Sequence, residues 1–153
     1  MRKLILTAAV ATLAIAAQAR ADGGVGVGKY VWNKAESHYE AGYYATEQTM
    51  IIHKNDKTGI NVEQTVTPVG GGKTFSWHID APYDDVMRHG SQWMSFAFTR
   101  IADNKFHDRY IMDDTKEEGA ETFTINDKKL ILEGSSVHNG KKMTYVEVWD
   151  KVE

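Results

Sequence analysis

From Thr46 onward the chain alternates apolar and polar side chains in short runs, and none of them carries the 3.6-residue spacing of a helix. Ile60–Thr67 is the clearest. Ile60, Val62, Gln64 and Val66 fall on one face, and Asn61, Glu63 and Thr65 on the other. The same reading gives strands at Lys29–Asn33, Thr46–His53, Lys73–Asp80, Trp93–Ile101, Lys105–Met112, Thr122–Ile125, Leu130–Val137 and Met143–Trp149. Turn residues separate them, notably Asn55–Gly59, Pro68–Gly72, Asp103-Asn104, Asp113–Gly119, Asn126-Asp127 and Asn139-Gly140. The Asn-Gly pair is the strongest hairpin signal, because both central residues of a type I′ turn need positive φ. One short helical turn is expected after Asn33, where Glu36 three residues on makes a capping-box pattern and Gly42 supplies a stop.

A meander of short strands joined by local turns removes its edges by closing on itself. The expected fold is therefore all-β: a single antiparallel up-and-down β-barrel of about 8–9 strands with one short N-terminal helical turn. The Asp22–Gly28 glycine run before the first strand lacks the strand–loop–helix context of a phosphate-binding loop.

The first 21 residues read differently. Arg2 and Lys3 precede the apolar run Leu4–Ala17, and Ala19-Arg20-Ala21 supplies small residues at the positions a signal peptidase reads. The expectation is a secretory signal peptide cleaved after Ala21, leaving a domain over 22–153 that is periplasmic or secreted. The run is shorter than the roughly 20 residues a membrane span needs. The chain has no cysteine, which excludes disulfides, thiolate metal sites and cysteine nucleophiles. It carries 18 basic and 21 acidic side chains; without Arg2, Lys3 and Arg20 the balance is 15 to 21, a net charge of −6. Such an acidic domain argues against nucleic acid as a partner.

Chemistry is densest between Lys73 and Arg100. In Trp93–Ile101 the face Met94, Phe96, Phe98, Arg100 points inward, opposite Trp93, Ser95, Ala97 and Thr99. In Lys105–Met112 the inward face is Phe106, Asp108, Tyr110, Met112. Arg100, Asp108 and Tyr110 thus share a phase with aromatic residues and form a candidate polar spot, provided the strand register brings them together. A structural ion pair at a barrel end is the competing reading. Lys73–Asp80 splits into Phe75, Trp77, Ile79 and Thr74, Ser76, His78, Asp80. His78 and Asp80 on one face suit a base with its orienting carboxylate. A metal is not expected, because no other histidine has a spacing that supplies a third ligand. Tyr83, beyond the strand-breaking Pro82, is a candidate gate at the rim of a cavity. No Gly-x-Ser-x-Gly elbow, calcium loop or cofactor motif occurs, so no cofactor is expected.

Gly28-Lys29-Tyr30 followed by Asn33 and Ser37 resembles the opening G-x-W-x-x-N-x-x-x-S of small exported lipocalin-like β-barrel proteins of bacteria. Arg100-Ile101-Ala102-Asp103-Asn104 resembles their central turn, and Val146–Lys151 their closing V-x-V-Y-D-K. Tyr30 stands where the pattern has tryptophan. The resemblance spans most of Gly28–Glu153 and implies a calycin-type barrel and export. These proteins are mostly uncharacterised, and the resemblance brings no catalytic residues.

Three functions follow. The first is a barrel that binds a small apolar or aromatic molecule against Trp77, Phe96, Phe98, Phe106 and Tyr83, with Arg100 or Asp108 orienting its polar end. The second is a cofactor-free lyase, isomerase or cyclase that uses His78, Asp108 and Tyr110 as acid and base. The third is a barrel with a filled core that binds an envelope protein through its outer surface. A cavity of roughly 300 Å3 or more separates the first two from the third.

Overall fold

The computed structural model describes residues 24–90, 93–138 and 140–153. The leader and its cleavage point lie outside the described residues. Eleven strands follow one another: β1 (Gly28–Trp32), β2 (His38–Tyr39), β3 (Ala45–Asn55), β4 (Ile60–Pro68), β5 (Phe75–Ala81), β6 (Arg88–His89), β7 (Met94–Ala102), β8 (Lys105–Met112), β9 (Glu118–Ile125), β10 (Lys129–His138) and β11 (Lys141–Lys151). All nine expected strands are present, and β2 and β6 are additions of two residues each.

The strands form one curled antiparallel sheet in the order β5-β4-β3-β1-β11-β10-β9-β8-β7-β6, with β2 paired to β11 off this path. The chain therefore runs as two meanders, and β1 and β11 zip them together with Trp32 opposite Trp149. Among the described residues no ladder joins β5 to β6, so the barrel has a seam. Side chains span it: Phe75 meets Trp93 at 5.2 Å between ring centroids, and Trp77 meets Phe96 at 5.8 Å.

The expected helical turn is absent. Asn33 and Glu36 do find each other, with Glu36 N–H donating to Asn33 Oδ1 and Asn33 Nδ2 donating to Glu36 Oε1, each at 3.2 Å. What they close is a turn. Ser37 Oγ donates to the Asn33 carbonyl at 2.8 Å and accepts Val148 N–H at 2.9 Å. His38 and Tyr39 then pair with Val146 and Tyr145 of β11. An isolated helix this short is marginal, whereas an existing strand offers ready backbone partners.

Alternation decides which side chains fill the barrel. Ile60, Val62, Gln64 and Val66 are all buried, as their phase requires. Register shifts near Ala45/Glu47 and Ile52/Lys54 in β3 reset the phase, so that Gln48, Met50, Ile52 and Asn55 all point inward. The deepest core contains Tyr30, Met50, Ile52, Ile60, Phe106, Ile125, Leu130 and Trp149. Phe106 stacks on Phe123 at 4.5 Å.

One end of the barrel is plugged. The segment before β1 crosses it, with Val25 N–H on the Asn55 carbonyl and Asn55 Nδ2 donating to the Val25 carbonyl at 2.8 Å. Tyr30 donates to the Gly26 carbonyl at 2.7 Å, and burial raises its pKa to about 12, so it stays a donor throughout the usual pH range. Tyr83 donates to Asn55 Oδ1 at 2.7 Å and rests beside Phe106. At the other end the interior is open.

Candidate functional site

The interior is not solid. A cavity of about 440 Å3 runs in from the open end. Phe75, Trp77, Trp93 and Phe96 form an aromatic wall, contributed by β5, β7 and the segment leading into β7. Trp93, expected to face outward, turns in because it precedes β7, which begins at Met94, and is not held to that strand's phase. The facing wall is polar: Glu121 from β9, Ser136 from β10, Tyr145 and Glu147 from β11, with Tyr44 and Gln64 beside them. Glu117 and Met112 stand at the mouth with Tyr39 and Gly42.

Two glycines let the polar wall form. Gly119 lies opposite Tyr110, and Gly134 lies between Glu121 and Tyr145 in the ladder. A Cβ on Gly134 would stand 2.5 Å from the Tyr145 ring, and one on Gly119 would overlap the Tyr110 ring. Both tyrosines therefore lie flat across a glycine strand, and their hydroxyls come within 3.2 Å of each other. Tyr145 donates to Glu121 Oε1 at 2.5 Å. Its other ring face stacks on Tyr39 at 5.3 Å.

Glu147 is anchored separately. Its Oε2 accepts Trp149 Nε1–H at 3.0 Å, and its Oε1 lies 3.4 Å from the Tyr44 hydroxyl. Tyr44 donates to Gln48 Oε1 at 2.9 Å, and Gln64 Nε2 donates to the same oxygen at 2.5 Å. Burial pushes the Glu147 carboxyl up to about 8, and the Trp149 hydrogen bond only partly opposes it. Burial likewise raises Glu121 to about 7. Asp108 sits opposite Glu121 in the β8–β9 ladder, and burial with the Glu121 charge holds it well above the usual carboxylate range. Near neutral pH the Glu147 carboxyl is therefore largely protonated and the Glu121 carboxyl about half so.

Only part of the sequence-derived set meets at this cavity. Trp77, Phe96 and Tyr110 line it. Phe98 and Phe106 face inward but sit below it, around a small gap that they share with Asp108. Arg100 and Asp108 do not meet: the register places Arg100 opposite Phe106 and Asp108 opposite Phe98. Arg100 instead donates to Asp103 at 2.9 Å and lies over the Tyr83 ring. Tyr83 is a plug at the closed end, not a gate at the mouth. His78 is on the outer surface, where its Nε2 contacts Asn61 Oδ1 at 2.9 Å, because its strand turns Phe75, Trp77 and Ile79 inward. The acid–base set of His78, Asp108 and Tyr110 is therefore not assembled in one place. Among the described residues no group of three potential metal ligands occurs.

Glu121, Glu147, Tyr44 and Tyr145 line the cavity and are not among the site residues expected from the sequence. A signal existed for two of them. Glu147 shares the phase of Tyr145 and Trp149, and Glu121 that of Phe123 and Ile125.

No protein-family model matches the chain, and no curated protein matches it in sequence. Solved structures do match it in shape. Secretory abundant heat soluble protein 4 from Ramazzottius varieornatus superposes with a TM-score of 0.50 at 12% identity, over 83% of this chain and 94% of its own. A variant of the fluorescent protein UnaG superposes with a TM-score of 0.53 at 12% identity, over 83% of this chain and 96% of its own. At such identity the likeness is one of fold. The molecule has a calycin-like β-barrel fold, and its site must be read from its own residues.

Proposed function

We propose that the barrel binds a small aromatic or apolar molecule with one polar end, held in the cavity without chemical change. The observation that carries this reading is the cavity itself: about 440 Å3, open at one end, with an aromatic wall facing a polar one. That volume lies in the range of small-molecule sites, and a few placed polar groups in an apolar cleft are what fixes ligand orientation. Trp77 and Phe96 supply stacking surface, and Glu121, Tyr145 and Glu147 supply the polar contacts. We place the complex outside the cytoplasm, on the strength of the Arg2–Ala21 leader pattern.

The test is a thermal-shift panel of aromatic and fatty compounds on the purified domain, followed by quenching of tryptophan fluorescence. A true ligand raises Tm, and it quenches in the parent more than in Trp77→Phe, because Trp77 lines the cavity. If no compound in the panel moves Tm, the binding reading is wrong.

A further inference from the structure

The charge of the cavity is one-sided. Glu117, Glu121 and Glu147 line it, and among the described residues no lysine, arginine or histidine does. Arg100, the cation nearest in phase, lies toward the closed end and is tied to Asp103. A carboxylate ligand such as a fatty acid would thus meet three acids and no base. Glu147 has a structural reason to be acidic or amide-like, since Trp149 Nε1–H needs an acceptor at that depth. Glu121 has no comparable reason. Its hydrogen bond comes from Tyr145, whose hydroxyl also has Tyr110 at hand. One strand away Asp108, 2% exposed, keeps Oδ1 without a hydrogen-bond partner. The groups facing Glu121 are Asp108 and Tyr110 from β8 and Tyr145 from β11, with Tyr44 near enough to feel its charge, and none of them is a cation.

We propose that the ligand of this cavity is an organic cation, a protonated amine or N-heterocycle on an aromatic body, whose charged nitrogen meets Glu121 while its ring lies against Trp77, Phe75 and Phe96. The inference rests on the binding reading above and narrows it to one class. An ammonium group beside Glu121 replaces the proton that burial holds there, so the carboxyl gives its proton to the buffer as the ion pair forms. Aromatic faces around the site add cation–π attraction, which strengthens when water is excluded. The same arrangement disfavours anions, which would meet carboxyl groups and no cation among the described lining residues.

Matched triplets test this. Each triplet has one ring system (phenyl, indolyl or naphthyl) carrying an ethylamine, an ethanol or an acetate, and binding is measured by titration calorimetry. The expected order is amine over alcohol by about tenfold or more, with the acetate weakest. Below about pH 7 amine binding releases protons, seen as a heat that depends on the ionisation enthalpy of the buffer. In Glu121→Gln the preference for amine over alcohol collapses and the proton release is lost. Alcohols or acetates binding as well as amines in the parent protein overturn the cation assignment and leave the binding reading standing. No binding by any member of any triplet, with no Tm shift across the wider panel, overturns both. The parent measurements decide even if the variant fails to fold.

Discussion

Glu147→Gln should change the pH dependence of stability more than stability itself. Glu147 is 3% exposed, and its carboxyl pKa is raised from the ordinary 4.5 to about 8. The folded state therefore holds this proton more tightly than the unfolded state. Its carboxyl costs nothing below about pH 4.5, and the cost grows as pH rises, reaching full size above about pH 8. At 1.36 kcal/mol per pH unit the full cost is about 5 kcal/mol, with about 3 kcal/mol already present at pH 7. Glutamine keeps an acceptor for Trp149 Nε1–H, presents an N–H toward the Tyr44 oxygen, and does not titrate. Near pH 5 the variant should lie within about 1 kcal/mol of the parent, and near pH 9 it should be several kcal/mol more stable. Asp108 and Glu121 titrate in the same direction, but they are present in both proteins and largely cancel in the difference. Urea unfolding followed by tryptophan fluorescence at several pH values measures it. A stability difference that stays flat within about 0.5 kcal/mol from pH 5 to 9 would show that the Glu147 proton is not linked to folding and would refute the reasoning.

Gly134→Ala should drive the Tyr145 ring off its strand and cost about 1–3 kcal/mol of overpacking; combined with Tyr145→Ala the loss should be clearly less than additive in denaturant midpoints. Asn55→Ala removes the acceptor for Tyr83 and the donor to Val25 at the plugged end, and should cost about 2–4 kcal/mol in calorimetric unfolding without altering ligand affinity. An affinity loss there would mean that the plug and the cavity are coupled. For the leader, mass spectrometry of protein recovered from an exporting host should find Asp22 as the first residue; an intact Met1 would remove the export proposal.

The strands were legible because a sheet with one buried face writes its period directly into the sequence, as Ile60–Val66 and Phe106–Met112 do. Phase says which face a residue takes, but not how far along the barrel it lies. Phe98, Arg100 and Phe106 face inward as expected, yet they belong to the plugged end, because the strand ends near Asn55, Ala102 and Ile125 gather there. Register was equally hidden: a shift of two residues would have set Arg100 against Asp108. Of the resemblance motifs, Tyr30 and Asn104 make hydrogen bonds of this same end, whereas Asn33 and Ser37 tie the turn that leads into β2. Glu121 lies outside the expected strand, which starts at Thr122 beyond the Asp113–Gly119 turn residues, whereas β9 begins at Glu118. The helical turn failed for a different reason. The Asn33–Glu36 capping contact forms, but pairing of the following residues with β11, distant in sequence, overrides the helix.

The seam beside the aromatic wall has a kinetic meaning. Phe75, Trp77, Trp93 and Phe96 are both the clasp across the seam and the surface offered to a ligand. Parting the clasp costs two ring contacts, about 0.5–1.5 kcal/mol each beyond their buried area, and breaks no backbone ladder. The barrel can thus breathe sideways along one line while the remaining strands stay paired. For the ligand proposed above, that breathing would be a second way into the cavity. Once bound, such a ligand would pack on the same rings and brace the clasp, so association and release should both slow as the guest grows, which stopped-flow tryptophan fluorescence would check.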